Sequence, residues 1–168
     1  MTIPFDAATV SVFVAVSPED AFAVFTEEID RWWRTGPRFR MAGKRRGAMF
    51  LEGRLGGRVF ETFEVSSGTR TFEVGTITCW EPPLRLTFGW RASNFAPHEG
   101  TTVDVRFQAQ GRGTLVTVRH EGFASLPDTH PVRHGHVGAD FTRWTGMWWG
   151  ELMTSLREHV AARPSSDR

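Results

Sequence analysis

Few side chains in this sequence have both the type and the spacing for chemistry. His120 heads the set. Between Thr114 and Glu121 the alternation puts Val116, Val118 and His120 on one face of a strand, so an imidazole would stand in an apolar wall. Such a group can polarise a ligand carbonyl or move a proton near neutral pH, or it can be a hydrogen-bonded part of the wall. Glu52 and Glu61 also fall within strands. Turned inward, a carboxylate would have a raised pKa suited to acid–base work; turned outward it is solvated, and outward is the expected orientation. Asp128, His130, His134 and His136 invite a metal reading, since imidazoles two apart on extended chain point the same way. Their segment carries proline and glycine and brings no strong fourth ligand, so no metal is expected. It reads as an ordinary surface loop or as a lid over a cavity. No GxSxG, Walker, dinucleotide or zinc-protease motif occurs, and no cofactor is expected.

These groups must be positioned by strands and one long helix. Asp140 to Val160 carries Phe141, Trp148, Leu152 and Leu156 at steps of three and four, the helical period, with Trp144, Trp149 and Met153 beside them. A helix this bulky needs a concave apolar partner. The preceding chain supplies alternating strands at Thr9–Val16, Ala48–Glu52, Arg58–Phe63, Thr71–Trp80, Leu84–Trp90, Thr101–Ala109 and Thr114–Glu121. In the fifth of these Leu84, Leu86, Phe88 and Trp90 share a face. Ser17 caps a helix that begins at Pro18, with Ala21, Phe22, Val24, Phe25 and Ile29 as its apolar side. Arg31–Arg34 continues or restarts it, and Gly36-Pro37 ends it. The connectors are hairpin-like, Gln110 to Gly113 among them, which argues against a parallel doubly wound sheet. The layout is α+β, a sheet curled over a helix, with a pocket between them.

Composition narrows the function further. The formal net charge of +1 leaves no strong field for nucleic acid or an anionic membrane. The run Lys44-Arg45-Arg46 reads as a solvated loop. One cysteine, Cys79, excludes an internal disulfide framework. No apolar run approaches the roughly eighteen residues of a membrane span. Met1 to Asp6 lacks the regions of a signal peptide, so a cytoplasmic protein without membrane association is expected. The chain is expected to form one domain over residues 1–162, with a frayed polar tail at 163–168. Fourteen Phe and seven Trp, with no Tyr, suit an apolar interior that is either solid or partly hollow around a ligand.

Several strings in order along the chain resemble the START-like superfamily with the helix-grip fold. They are Ser17 to Phe25, Trp32-Trp33, Gly75 through Leu86, Gly113 to Phe123, and Trp149 with Leu152 and Leu156. Within it the chain is most similar to the branch named for the activator of the heat-shock-protein-90 ATPase. The resemblance implies a seven-stranded antiparallel sheet gripping the carboxy-terminal helix around a hydrophobic cavity. It also implies binding of lipids, hormones, polyketides or similar molecules, with cyclases and hydroxylase components among the members. The family's co-chaperone has an additional amino-terminal domain, which is not expected in this chain, so the name does not carry a chaperone role over. The expected function is therefore binding of a small hydrophobic ligand by a monomer or homodimer. Phe25, Trp33, Phe50, Phe60, Phe88, Trp90, Phe107, His120, Trp144 and Trp148 are the candidate lining residues. Trp149 matches the family's helix tryptophan and reads as structural. The competing classes are a cyclase or aromatase using a cavity His or Glu, and a chaperone-associated protein-binding module, which would need a sizeable exposed apolar patch.

Overall fold

In the computed structural model residues 6–164 are described; the readings of the first five residues and of 165–168 lie outside them. Seven strands form one antiparallel sheet: β1 (Ala8–Val14), β2 (Gly47–Leu51), β3 (Arg58–Val65), β4 (Gly68–Glu81), β5 (Arg85–Trp90), β6 (Thr101–Gln110) and β7 (Gly113–Glu121). Their spatial order is β1-β7-β6-β5-β4-β3-β2. Helices α1 (Pro18–Glu27) and α2 (Ile29–Trp32) sit between β1 and β2, and α3 (Gly138–Ala161) closes the chain. The sheet is a curled half-barrel gripping α3, the α+β helix-grip fold that the resemblance implies. Among the described residues, no helix is long and apolar enough to cross a membrane.

Alternation builds the concave face. Val103, Val105 and Phe107 of β6 pair with His120, Val118 and Val116 of β7, and all six are buried. On the other side of β6, Leu86 and Phe88 of β5 pair with Val105 and Val103. Across β5 and β6 the convex face is largely polar, as a one-sided antiparallel sheet should be. Buried Asp104 there accepts from Arg85 at 2.7 Å and Thr87 at 2.8 Å. The Arg85, Thr87 and Arg106 donors more than offset its burial and hold its carboxyl below the usual range.

The helix α3 buries Phe141, Trp148, Trp149, Leu152, Met153, Leu156 and Val160. It lies closest to the edge strand β1, while α2 lies closest to the opposite edge strand β2, so both sheet edges have a helix nearby. Ser17 Oγ accepts the Asp20 N–H at 3.2 Å, the expected cap of α1. The first helical stretch breaks at Glu28 and restarts as α2, so that Trp32 and Trp33 turn into the core.

One inner-row assignment changes. Leu84 is 60% exposed, because the Glu81–Leu84 turn carries it outward before β5 begins. Tight curling shows at Gly75 of β4, where an added Cβ would run into the backbone carbonyl of Gly89 in β5.

Candidate functional site

At the amino-terminal half of α3 the grip is incomplete. A cleft of about 360 Å³ opens there between the loop after α2, the end of β5, the segment after β7 and α3 itself. Phe39, Trp90, Phe123, Phe141, Trp144 and Trp148 supply its aromatic walls. These rings touch in a chain: Phe39 stacks on Trp148 at 5.8 Å between centroids, and Trp148 meets Trp90 edge-on at 6.0 Å. Thr145 of α3 borders the cleft, and its buried Oγ1 has no hydrogen-bond partner among the described residues. An unpaired buried hydroxyl is costly, so this one is poised for a partner that the protein does not provide.

His120 lies at the back of this cleft, 1% exposed. Its Nδ1 accepts the Trp149 indole N–H at 3.0 Å. The ring proton is therefore on Nε2, which lies 2.7 Å from Thr101 Oγ1 and donates to it. Thr101 in turn donates to the Trp90 carbonyl at 3.0 Å. Both ring nitrogens are spent on protein partners. Burial drives the imidazole pKa down to about 3, so the ring is neutral across the physiological range. Of the two roles open to His120, the geometry matches the wall histidine.

The segment joining β7 to α3 is more than a surface loop. Phe123, Leu126 and Val132 bury against Phe95 and Phe141 in a satellite core, with Trp90 and Trp144 beside them. Arg133 is itself buried and donates to the Phe123 carbonyl at 2.9 Å and the Leu126 carbonyl at 3.0 Å. Its guanidinium sits 4.7 Å over the Phe141 ring. His130 Nδ1 accepts from the Val132 N–H, which leaves Nε2–H to donate to Glu99 Oε1 at 3.0 Å. Glu99 also accepts from Ala96 N–H, and these contacts hold its carboxyl below the usual range. His134 and His136 lie against Trp144, at 4.8 and 5.8 Å between centroids. Among the described residues, no three His, Cys, Asp or Glu side chains converge as metal ligands.

The ten lining candidates divide by position. Trp90, His120, Trp144 and Trp148 border the cleft. Phe25, Trp33, Phe88 and Phe107 are packed in the main core and border no cavity described here. Phe50 and Phe60 stack on one another at 5.1 Å, away from the cleft, with Phe50 44% exposed. They alternate with inward Met49 and Val59, which places them on the convex face. The two glutamates also part company. Glu52 stays outside with Arg58, whose hydrogen bonds lower its pKa to about 2. Glu61 turns inward, against expectation, because its carboxylate accepts the Met41 and Ala42 N–H groups at 2.9 and 3.1 Å and so fixes the loop wall of the cleft. Thr145 borders the cleft without having stood out in the sequence; Arg45, read as part of a solvated basic loop, and Phe123, at the end of one resembling string, border it too. The only available signal for Thr145 was its place on the inner stripe of α3, one turn before Trp149.

A second groove, of about 450 Å³, lies between Phe22 of α1 and Trp80 of β4. Glu19 and Glu27 border it, and it has neither the ring chain nor the unpartnered hydroxyl of the first.

Comparison with known proteins gives a family and a fold. The model of the family described as Activator of Hsp90 ATPase homolog 1-like protein matches residues 15–160. A crystal structure of a Rhodobacter sphaeroides protein is similar over 98% of each chain, with 19% identity and a TM-score of 0.64. An HSP90 activator from Plasmodium falciparum is similar over 92% of this chain and 96% of its own, at 17% identity and a TM-score of 0.59. The Aha1 dimer from Colwellia psychrerythraea covers 93% of this chain and 96% of its own, at 14% identity and a TM-score of 0.60. At these identities the likeness speaks to fold. No curated protein matches the chain in sequence.

Proposed function

The chain belongs to the family of Activator of Hsp90 ATPase homolog 1-like proteins, and from that premise we propose that it binds a small apolar molecule in the cleft beside α3. The observation that carries this reading is the chain of aromatic walls around an open volume that also holds an unpartnered hydroxyl. Binding would draw on apolar burial, at roughly 25 cal/mol per Å². The cyclase-type alternative gains no support from His120, whose nitrogens are both engaged. The test is native mass spectrometry of the intact protein with organic extraction, followed by uptake of the neutral probe N-phenyl-1-naphthylamine. A one-to-one complex weakened by Trp144→Ala is expected. A protein that carries no passenger and takes up no probe would sink the proposal.

A chaperone-associated role is the second reading, favoured by the name of the Plasmodium relative and by the exposed apolar residues Phe50 and Leu55 at the β2–β3 end of the sheet. Adding the protein to an Hsp90-type ATPase decides it: stimulation that Phe50→Asp abolishes supports the role, and no stimulation removes it. The Colwellia relative is a dimer, and the corresponding homodimer for this chain is checked by light scattering.

A further inference from the structure

The charged side chains around the cleft are of one sign. Among the described residues no Asp or Glu borders it, whereas Arg38, Arg40 and Arg45 do. Arg40 is buried and committed to Asp30 at 2.7 Å, and Arg38 is shared with Glu151 at 3.2 Å. Arg45 has no carboxylate within ion-pair distance among the described residues. It donates only to the Ala42 carbonyl, with its guanidinium 4.8 Å over the Phe63 ring. Its neighbours Lys44 and Arg46 do not border the cleft, so the basic run contributes this one cation to it.

Neutral polar groups add to this. The core indoles of Trp32, Trp33, Trp148 and Trp149 each donate to a protein acceptor. The indoles of Trp90 and Trp144, which border the cleft, have no acceptor among the described residues. Thr145 adds its unpartnered hydroxyl. The cleft thus offers flat apolar walls, neutral groups at Ser93, Asn94, His134 and Thr145 that can both donate and accept, and one guanidinium without a carboxylate partner. Its complement is a flat apolar body with one negatively charged group for Arg45, which a carboxylate or sulfonate supplies.

We infer that the occupant is a flat aromatic monoanion: a ring system lying against Trp90, Trp144 and Trp148, with its carboxylate- or sulfonate-type group turned to Arg45. This rests on the reading of the cleft as a small-molecule site, and the test separates the two. 8-Anilinonaphthalene-1-sulfonate and N-phenyl-1-naphthylamine share a ring skeleton and differ by the sulfonate. Both are titrated against the wild type, Arg45→Met and, as a control on the β6–β7 hairpin turn, Arg112→Met, at low and moderate salt. The wild type should prefer the sulfonate by about tenfold at low salt. Arg45→Met should erase most of that preference while changing the amine's affinity far less, and Arg112→Met should change neither. Added salt should shrink the preference, because Arg45 is exposed. Equal affinities in the wild type, or a preference that survives Arg45→Met, would overturn the monoanion while the cleft still binds. Failure of both probes to bind would overturn the cleft itself.

Discussion

Protonating His120 would set two hydrogens against each other, because Nδ1 already accepts the indole N–H of Trp149. The folded-state pKa of about 3 lies below the ordinary 6.5, so between those values the unfolded chain holds the extra proton. Stability from this group is therefore full above pH 6.5 and falls as pH falls. From pH 8 to 5 the loss amounts to about 2 kcal/mol. Urea unfolding of wild type and His120→Gln across that range should show a pH slope in the difference; parallel curves would remove the buried neutral histidine from the account. Glu61→Gln belongs at the same scale. It replaces one of two acceptor oxygens with a donor facing a backbone N–H, and should cost about 1–3 kcal/mol by thermal melting. Much of this site was legible in part only. The alternation of Val116, Val118 and His120 put the imidazole in the wall, but its partners Thr101 and Trp149 lie 19 and 29 residues away in sequence, where no local pattern reaches. Glu61 misled for a related reason. Its orientation is fixed by two amides of a loop 19 and 20 residues earlier, not by its own strand's polarity.

Elements were far more legible than contacts, because period is a property of a few consecutive residues. The stripe Phe141, Trp148, Leu152, Leu156 gave α3 to within two residues at its start and one at its end. The seven expected strands all form, with ends shifted where a turn intervenes, as at Leu84. The sheet's curl was legible from the girth of α3, but the places where two strands press together to produce it were not. Gly75 marks such a place, and Gly75→Ala forces its methyl into the Gly89 carbonyl. The backbone there cannot give way as a flexible side chain could, so the variant should lose about 1–3 kcal/mol, the usual range for overpacking. Leu152→Ala, at a fully buried position in the grip, should cost about 2–5 kcal/mol. If guanidinium unfolding found Gly75→Ala neutral, β4 and β5 would have to be less tightly apposed than described.

The molecule as a whole has two cores of unequal size meeting on α3. The larger lies between sheet and helix, and the smaller holds the segment from Phe123 to Val132 against Phe95 and Phe141. The ladder of β5, β6 and β7 is paired on both sides and backed by the large core, so its amides open only with the whole fold. The smaller core rests on five buried side chains, the Arg133 bonds and the His130–Glu99 contact. It forms one wall of the cleft, and an opening there exposes the cleft without disturbing the sheet. Hydrogen exchange should accordingly find the amides between Gly122 and Val137 exchanging at a lower free energy than those of β6 and β7. Leu126→Ala should lower that local free energy by about 2–4 kcal/mol while moving the sheet's protection far less. A bound apolar probe should raise protection in the same segment, since any ligand favouring the closed wall stabilises it by mass action. Equal loss of protection in the segment and the sheet on Leu126→Ala would mean a single cooperative unit, with no wall that opens alone to admit a ligand.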